Sequence, residues 1–154
     1  MDLPRLGFCV QVFKEALRLY PPLYLMGRRC LSDVRVGGYD LPRGTAVILS
    51  PWAIHRRPEL WPDPERFDPS RFEPAAEQAR DRLAYLPFGA GPRVCIGNHF
   101  ALSQGPLELA TLLARADLEL LTRAPIEPEA YATLRPKGGV PMRVAAVRAE
   151  GPRS

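Results

Sequence analysis

The sequence predicts an α+β chain in which two helices are separated by short strands and a proline-locked loop. Three observations predict it: apolar residues at helical spacing near the start and again after residue 97, β-forming runs around paired glycines, and prolines that break up the rest. At 154 residues the length suits one ordinary domain, spanning 1–154.

Val10, Phe13, Leu17 and Tyr20 form the apolar stripe of the first helix, and EALR at 15–18 sets Glu15 and Arg18 three apart on one face. Such pairs are ordinarily solvated surface pairs, stabilising by roughly a few tenths of a kcal/mol. Pro21 and Pro22 end this helix, and LYLMGRRCL continues as an extended apolar run entering a basic pair. VRV, Gly37-Gly38 and YDLPRGTAVILS then predict a hairpin, with Val47, Ile48 and Leu49 suited to a buried strand. In LWPDPERFDPSRF, Pro62, Pro64 and Pro69 forbid a long helix and favour a fixed loop.

FGAGPRVCIG at 88–97 follows. Gly89 and Gly91 before Pro92 allow a sharp turn and a close approach to a flat ligand. The second helix begins just after Cys95, with Phe100, Leu107, Ala110 and Ala114 at helical spacing. The sulfur would thus lie near a helix N-terminus beside Arg93, an environment that favours the metal-binding thiolate. Gln104-Gly105-Pro106 predicts a kink or break at 102–106, because an interior proline costs about 3 kcal/mol and a glycine about 1. ADLELL, YATLRP and GGVPMRVAAV read as short strands, with Gly138-Gly139 as a hairpin tip and a frayed tail after Val147.

The net charge is +4, from 19 arginines and 2 lysines against 17 acids. The arginines are scattered among prolines and acids without a stripe or interleaved aromatics, which argues against nucleic-acid binding. The arginine bias suits a GC-rich genome. Cys9, Cys30 and Cys95 show no C-x-x-C doublet, which points to a reducing compartment, with Cys9 and Cys30 as small buried hydrophobes. No apolar run approaches the roughly 18 residues of a membrane span and no signal peptide is visible, so the expectation is a soluble, cytoplasmic, bacterial protein.

Phe88, Gly91, Arg93, Cys95 and Gly97 satisfy F-x-x-G-x-R-x-C-x-G, and EALR and PERF (64–67) precede them in order. With these motifs the chain resembles the cytochrome P450 superfamily of haem-thiolate monooxygenases, over about residues 8–147. The resemblance implies a mainly helical α+β fold of several hundred residues, of which this is the C-terminal portion: E-x-x-R helix, small sheet, PERF loop, cysteine loop, long helix and terminal hairpins. It makes Cys95 the proximal ligand of haem b iron, with Phe88, Gly89 and Gly91 shaping the loop around it. Arg93 and Arg28 become propionate partners, with Arg29 the fallback for Arg28. Glu15, Arg18 and Arg66 become a structural triad under the haem-binding segment. Residues 23–26 and 134–138 become candidate substrate contacts.

The implied activity is insertion of one oxygen atom of O2 into a small organic substrate, since a thiolate ligand favours O–O cleavage. Electrons would come from a ferredoxin or a flavoprotein reductase, for which the basic residues offer a landing site. The proton-delivering helix of the family is not found, so no catalytic residue is assigned. Nor is the upstream helical material that covers the distal face, so the expected partners include that N-terminal part of the fold. The alternative is a non-catalytic remnant or haem-binding module from a truncated or split gene.

Overall fold

The computed structural model describes residues 6–148. Helix α1 spans Gly7–Leu19, strands β1 to β4 span Met26–Arg29, Val34–Val36, Tyr39–Leu41 and Ala46–Leu49, and the short helix α2 spans Pro51–Ile54. A loop with a 3-10 turn at Pro69–Phe72 leads to α3 at Pro74–Ala79, and α4 spans Asn98–Arg115. Strands β5 to β8 span Ala116–Leu120, Pro128–Ala130, Leu134–Pro136 and Met142–Val147. The sheets are four antiparallel pairs: β1 with β4, β2 with β3, β5 with β8 and β6 with β7.

The core lies beneath the proline loop. Trp61, Phe72 and Ala84 are buried together with Tyr85 packed against them, and the Trp61 indole donates to the Ala84 carbonyl at 3.2 Å. Arg80 lies 4.3 Å over the Trp61 ring and 4.8 Å over the Phe72 ring, so even the flank of this core is closed by a cation on aromatic faces. Prolines fix the path of the loop, and Asp68 accepts from the Ser70 amide at 3.1 Å to start the 3-10 turn.

Four expectations change. Helix α4 runs unbroken through Pro106. Its proline is buried, and Gly105 faces α1 so closely that a Cβ there would stand 2.3 Å from Phe13 Cε2 and Cζ. The glycine-proline pair is therefore a seat for α1, whose packing offsets the propensity cost. Strand β4 is not buried: Ile48 is 68% exposed, because within the described residues β4 pairs with β1 alone. Gly138 and Gly139 do turn the chain with positive φ, but β7 and β8 are not partners. The β6–β7 tip is instead at residues 131–133, where the Tyr131 amide donates to the Thr133 carbonyl. The tail is held at its first residue, since the Arg148 amide bonds the Arg115 carbonyl at 2.7 Å and its side chain pairs with Asp117. Residues 149–154 lie outside the described residues.

Gly105→Ala is expected to lower the urea midpoint. Overpacking against Phe13 costs about 1–3 kcal/mol, which outweighs the gain of about 1 kcal/mol in helix propensity. A raised midpoint would mean that the Phe13 ring swings aside without cost.

Candidate functional site

The side of α1 that carries Glu15 and Arg18 faces inward, and both residues are completely buried. Arg18 Nε and Nη2 donate to the Glu15 carboxylate at 2.7 and 2.8 Å. Its Nη1 donates to the carbonyls of His55 (2.8 Å) and Pro64 (2.7 Å), and Nη2 also donates to the carbonyl of Arg66 (3.1 Å). All five guanidinium N–H groups are thereby used. Glu15 Oε1 also accepts from the Asp68 amide at 2.8 Å. One buried ion pair thus ties α1 to three points of the proline loop and to the end of α2.

Arg66 enters this cluster by its backbone, not by the expected guanidinium, and its side chain is exposed. The second guanidinium near Glu15 belongs to Arg71: its Nε is 3.6 Å from Oε1, and its Nη2 donates to the Asp63 carbonyl at 3.0 Å. The sequence holds P-x-R-F twice, at 64–67 and 69–72. The second copy lies in the 3-10 turn, whose buried Phe72 brings Arg71 inward. That repetition is the signal by which Arg71 could have been found.

His55 is the other residue that sequence reasoning missed. Its ring is fully buried, 5.4 Å from the Tyr85 ring and 6.3 Å from the Trp61 ring. The Leu86 amide donates to Nε2 at 2.8 Å, so Nδ1 carries the hydrogen and donates to the Arg18 carbonyl at 3.0 Å. Burial, followed by the charges of Arg18 and Arg56, lowers its pKa from 6.5 to about 4, although the bond to the Arg18 carbonyl opposes the shift. The imidazole is neutral at pH 7. Tyr85 donates to the Lys14 carbonyl at 3.0 Å, and burial pushes its phenol well above the usual value.

The cysteine loop springs from this frame. Gly89 and Gly91 adopt φ of 75° and 73°, the left-handed region that side chains disfavour, and a Cβ on Gly89 would stand 3.1 Å from Met26 Sδ. The turn brings the Cys95 amide back to the Phe88 carbonyl at 3.0 Å. Cys95 is exposed two residues ahead of Gly97, the N-cap of α4.

Leu23, Leu25, Met26, Arg28, Phe88, Arg93 and Cys95 line one open depression of ≈ 450 Å³. Arg28 thus stands with the cysteine, whereas Arg29, its neighbour on β1, turns to the Gly44 carbonyl. Each of the two segments expected to contact substrate is tied to a residue just before the other: the Leu134 amide donates to the Pro22 carbonyl at 2.8 Å, and the Tyr24 hydroxyl to the Tyr131 carbonyl at 2.9 Å. Apolar walls, one thiol and two arginines fit a flat apolar macrocycle with carboxylate substituents and a soft-ligand metal.

A family profile described as Cytochrome P450 matches residues 1–140. The chain is 41% identical over 145 residues to rat cytochrome P450 4F6, covering 93% of this chain and 27% of that one. It is 39% identical over 133 residues to cyclooctatin synthase of Streptomyces melanosporofaciens, covering 86% and 29%. Among solved structures it resembles the cytochrome P450DA heme domain (TM-score 0.82, 29% identity, 99% of this chain and 32% of that one). It also resembles the retinoic acid bound cyanobacterial CYP120A1 (TM-score 0.80, 34% identity, 89% and 32%). The chain therefore spans about 30% of the length of these relatives, which come from animals and bacteria alike. Among the described residues no helix is long and apolar enough to cross a membrane.

Proposed function

The chain belongs to the cytochrome P450 family, whose cofactor is haem, and from that premise we propose that it carries the thiolate side of a monooxygenase site with Cys95 as the metal ligand. The observation that carries this reading is the convergence of Cys95, Arg93, Arg28 and Phe88 on one apolar depression. The bound group, read as haem b, supplies the activation of O2 for insertion into a small organic substrate. The chain's residues bind and orient it. Cys95 offers the sulfur, Arg93 and Arg28 offer guanidinium groups to its carboxylates, and Leu23, Leu25, Met26 and Phe88 exclude water from its apolar body. Glu15, Arg18 and Arg71, with the Arg66 carbonyl, hold the floor beneath the loop. The net positive charge of the chain suits an acidic electron donor, read as a ferredoxin or a flavoprotein reductase.

Loading the chain with haem and reducing it under carbon monoxide is expected to give a thiolate-type Soret band. Cys95→Ser should abolish that band, while Cys9→Ser and Cys30→Ser keep it; an unchanged band in Cys95→Ser would sink the assignment. A second reading, a haem-binding module without turnover, is favoured by the exposure of Ile96 (101%) and Phe100 (70%) on either side of the α4 start. It predicts the same band with no oxygen insertion into added substrate.

A further inference from the structure

We propose that His55 is a positioning residue, a neutral latch that transmits the Glu15–Arg18 lock to the cysteine loop and opens when its ring is protonated. The inference rests on the reading of Cys95 as ligand for its functional meaning, but its structural content does not.

The path alternates hydrogen bonds with short stretches of backbone. His55 Nδ1 donates to the Arg18 carbonyl, and its Nε2 accepts from the Leu86 amide. The Leu86 carbonyl accepts from the Gly89 amide at 3.2 Å, and the Phe88 carbonyl accepts from the Cys95 amide at 3.0 Å. Pro87 stands between Leu86 and Phe88; its fixed φ, and the restriction it places on Leu86, leave little backbone freedom along this link. The direction imposed on Leu86 by the imidazole therefore reaches Phe88, the residue that carries the carbonyl for Cys95.

The latch works only in one protonation state. A second ring proton on Nε2 would remove the acceptor and set an N–H against the Leu86 N–H. Burial disfavours that proton most, and the cations Arg18 on α1 and Arg56 after α2 add to it, against the Arg18 carbonyl, which favours it; the Tyr85 and Trp61 rings enclose the imidazole. Both cations are anchored, Arg18 by Glu15 and Arg56 by Glu65 at 3.0 Å and by the Trp52 ring at 3.4 Å. Below about pH 4 the ring charges in the folded state. The Leu86 amide is then released and the cysteine loop loosens before α4 does.

Amide hydrogen exchange on the full chain, without haem, tests this. In the native sequence the Leu86 and Cys95 amides should be protected at pH 7 and, through pH 4 and after correction for intrinsic rates, lose about tenfold or more beyond any loss that the α4 amides share with the whole chain. His55→Gln, which keeps one donor and one acceptor but does not titrate, should restore protection at pH 7 and erase the acid step. His55→Phe should leave both amides unprotected at every pH. An acid step that persists in His55→Gln, or no step in the native sequence, would overturn the latch. In the haem-loaded chain the thiolate-type band should be lost through the same pH range and survive there in His55→Gln. Failure to bind haem would refute the ligand reading and leave the exchange result standing.

Discussion

Arg18→Ala is expected to leave the chain unfolded, or at best destabilised by about 3–5 kcal/mol, because it strands a buried carboxylate. Glu15 would keep only the Asp68 amide as a close donor, with Arg71 Nε at 3.6 Å, and the carbonyls of His55, Pro64 and Arg66 would lose their shared partner. A total stability of about 5–15 kcal/mol is typical of a domain, so the loss approaches the whole. Arg18→Lys should recover only part of it, since three donors on a point charge replace neither five donors nor the bidentate pair. The loop arginines provide the control. Arg71→Ala should cost about 1–3 kcal/mol, because it uncovers both Glu15 and the Asp63 carbonyl. Arg66→Ala should stay within about 0.5 kcal/mol, since its contribution is a carbonyl that alanine also carries. Denaturant titrations of the four variants check this order, and equal costs at 66 and 71 would refute the assignment of the second guanidinium.

That contrast shows which parts of the site were legible. E-x-x-R spacing places Glu15 and Arg18 on one helix face, but a solvated pair and a buried pair share that spacing. What distinguishes them is the set of carbonyls from residues 55, 64 and 66, and backbone acceptors leave no mark in a sequence. The cysteine loop was more legible because its requirements are local: left-handed φ at Gly89 and Gly91, and a thiol just ahead of a helix. The proline loop was legible as a loop, yet the choice between Arg66 and Arg71 depended on which P-x-R-F copy buries its phenylalanine. Phe67 is 47% exposed and Phe72 is 3% exposed, so the second copy turns inward. At α4, helix propensity argued for a kink, and the opposing influence was Phe13, more than ninety residues earlier. His55 gave no sequence signal, since a single histidine beside an arginine pair has no periodicity or motif to mark it.

Acid should destabilise the folded chain through His55 well before the ring itself is protonated in the native state. Its folded pKa of about 4 lies below the ordinary 6.5 of an unfolded histidine, so between these values the unfolded chain binds the additional proton. Stability therefore rises with pH across this window. The contribution is fully present above pH 6.5, declines as pH falls and levels off below about 4. A difference of this size corresponds to roughly 3 kcal/mol at the acid end. His99, the other histidine, is exposed on α4 and serves as the internal comparison. Urea midpoints measured from pH 7.5 to pH 4 should fall steeply in the native sequence and much less in His55→Gln, while His99→Gln should follow the native profile. The slope has the sign opposite to that of a histidine paired with a carboxylate, because burial first, and then the cations Arg18 and Arg56, disfavour a charged ring, and among the described residues its bonding partners are a carbonyl that needs Nδ1–H and an amide that needs Nε2 bare. That same geometry makes the neutral ring the one form that satisfies α1 and the cysteine loop together. Loss of stability and release of the loop are thus two consequences of one proton, and they are separable because the first follows the unfolded pKa and the second the folded one.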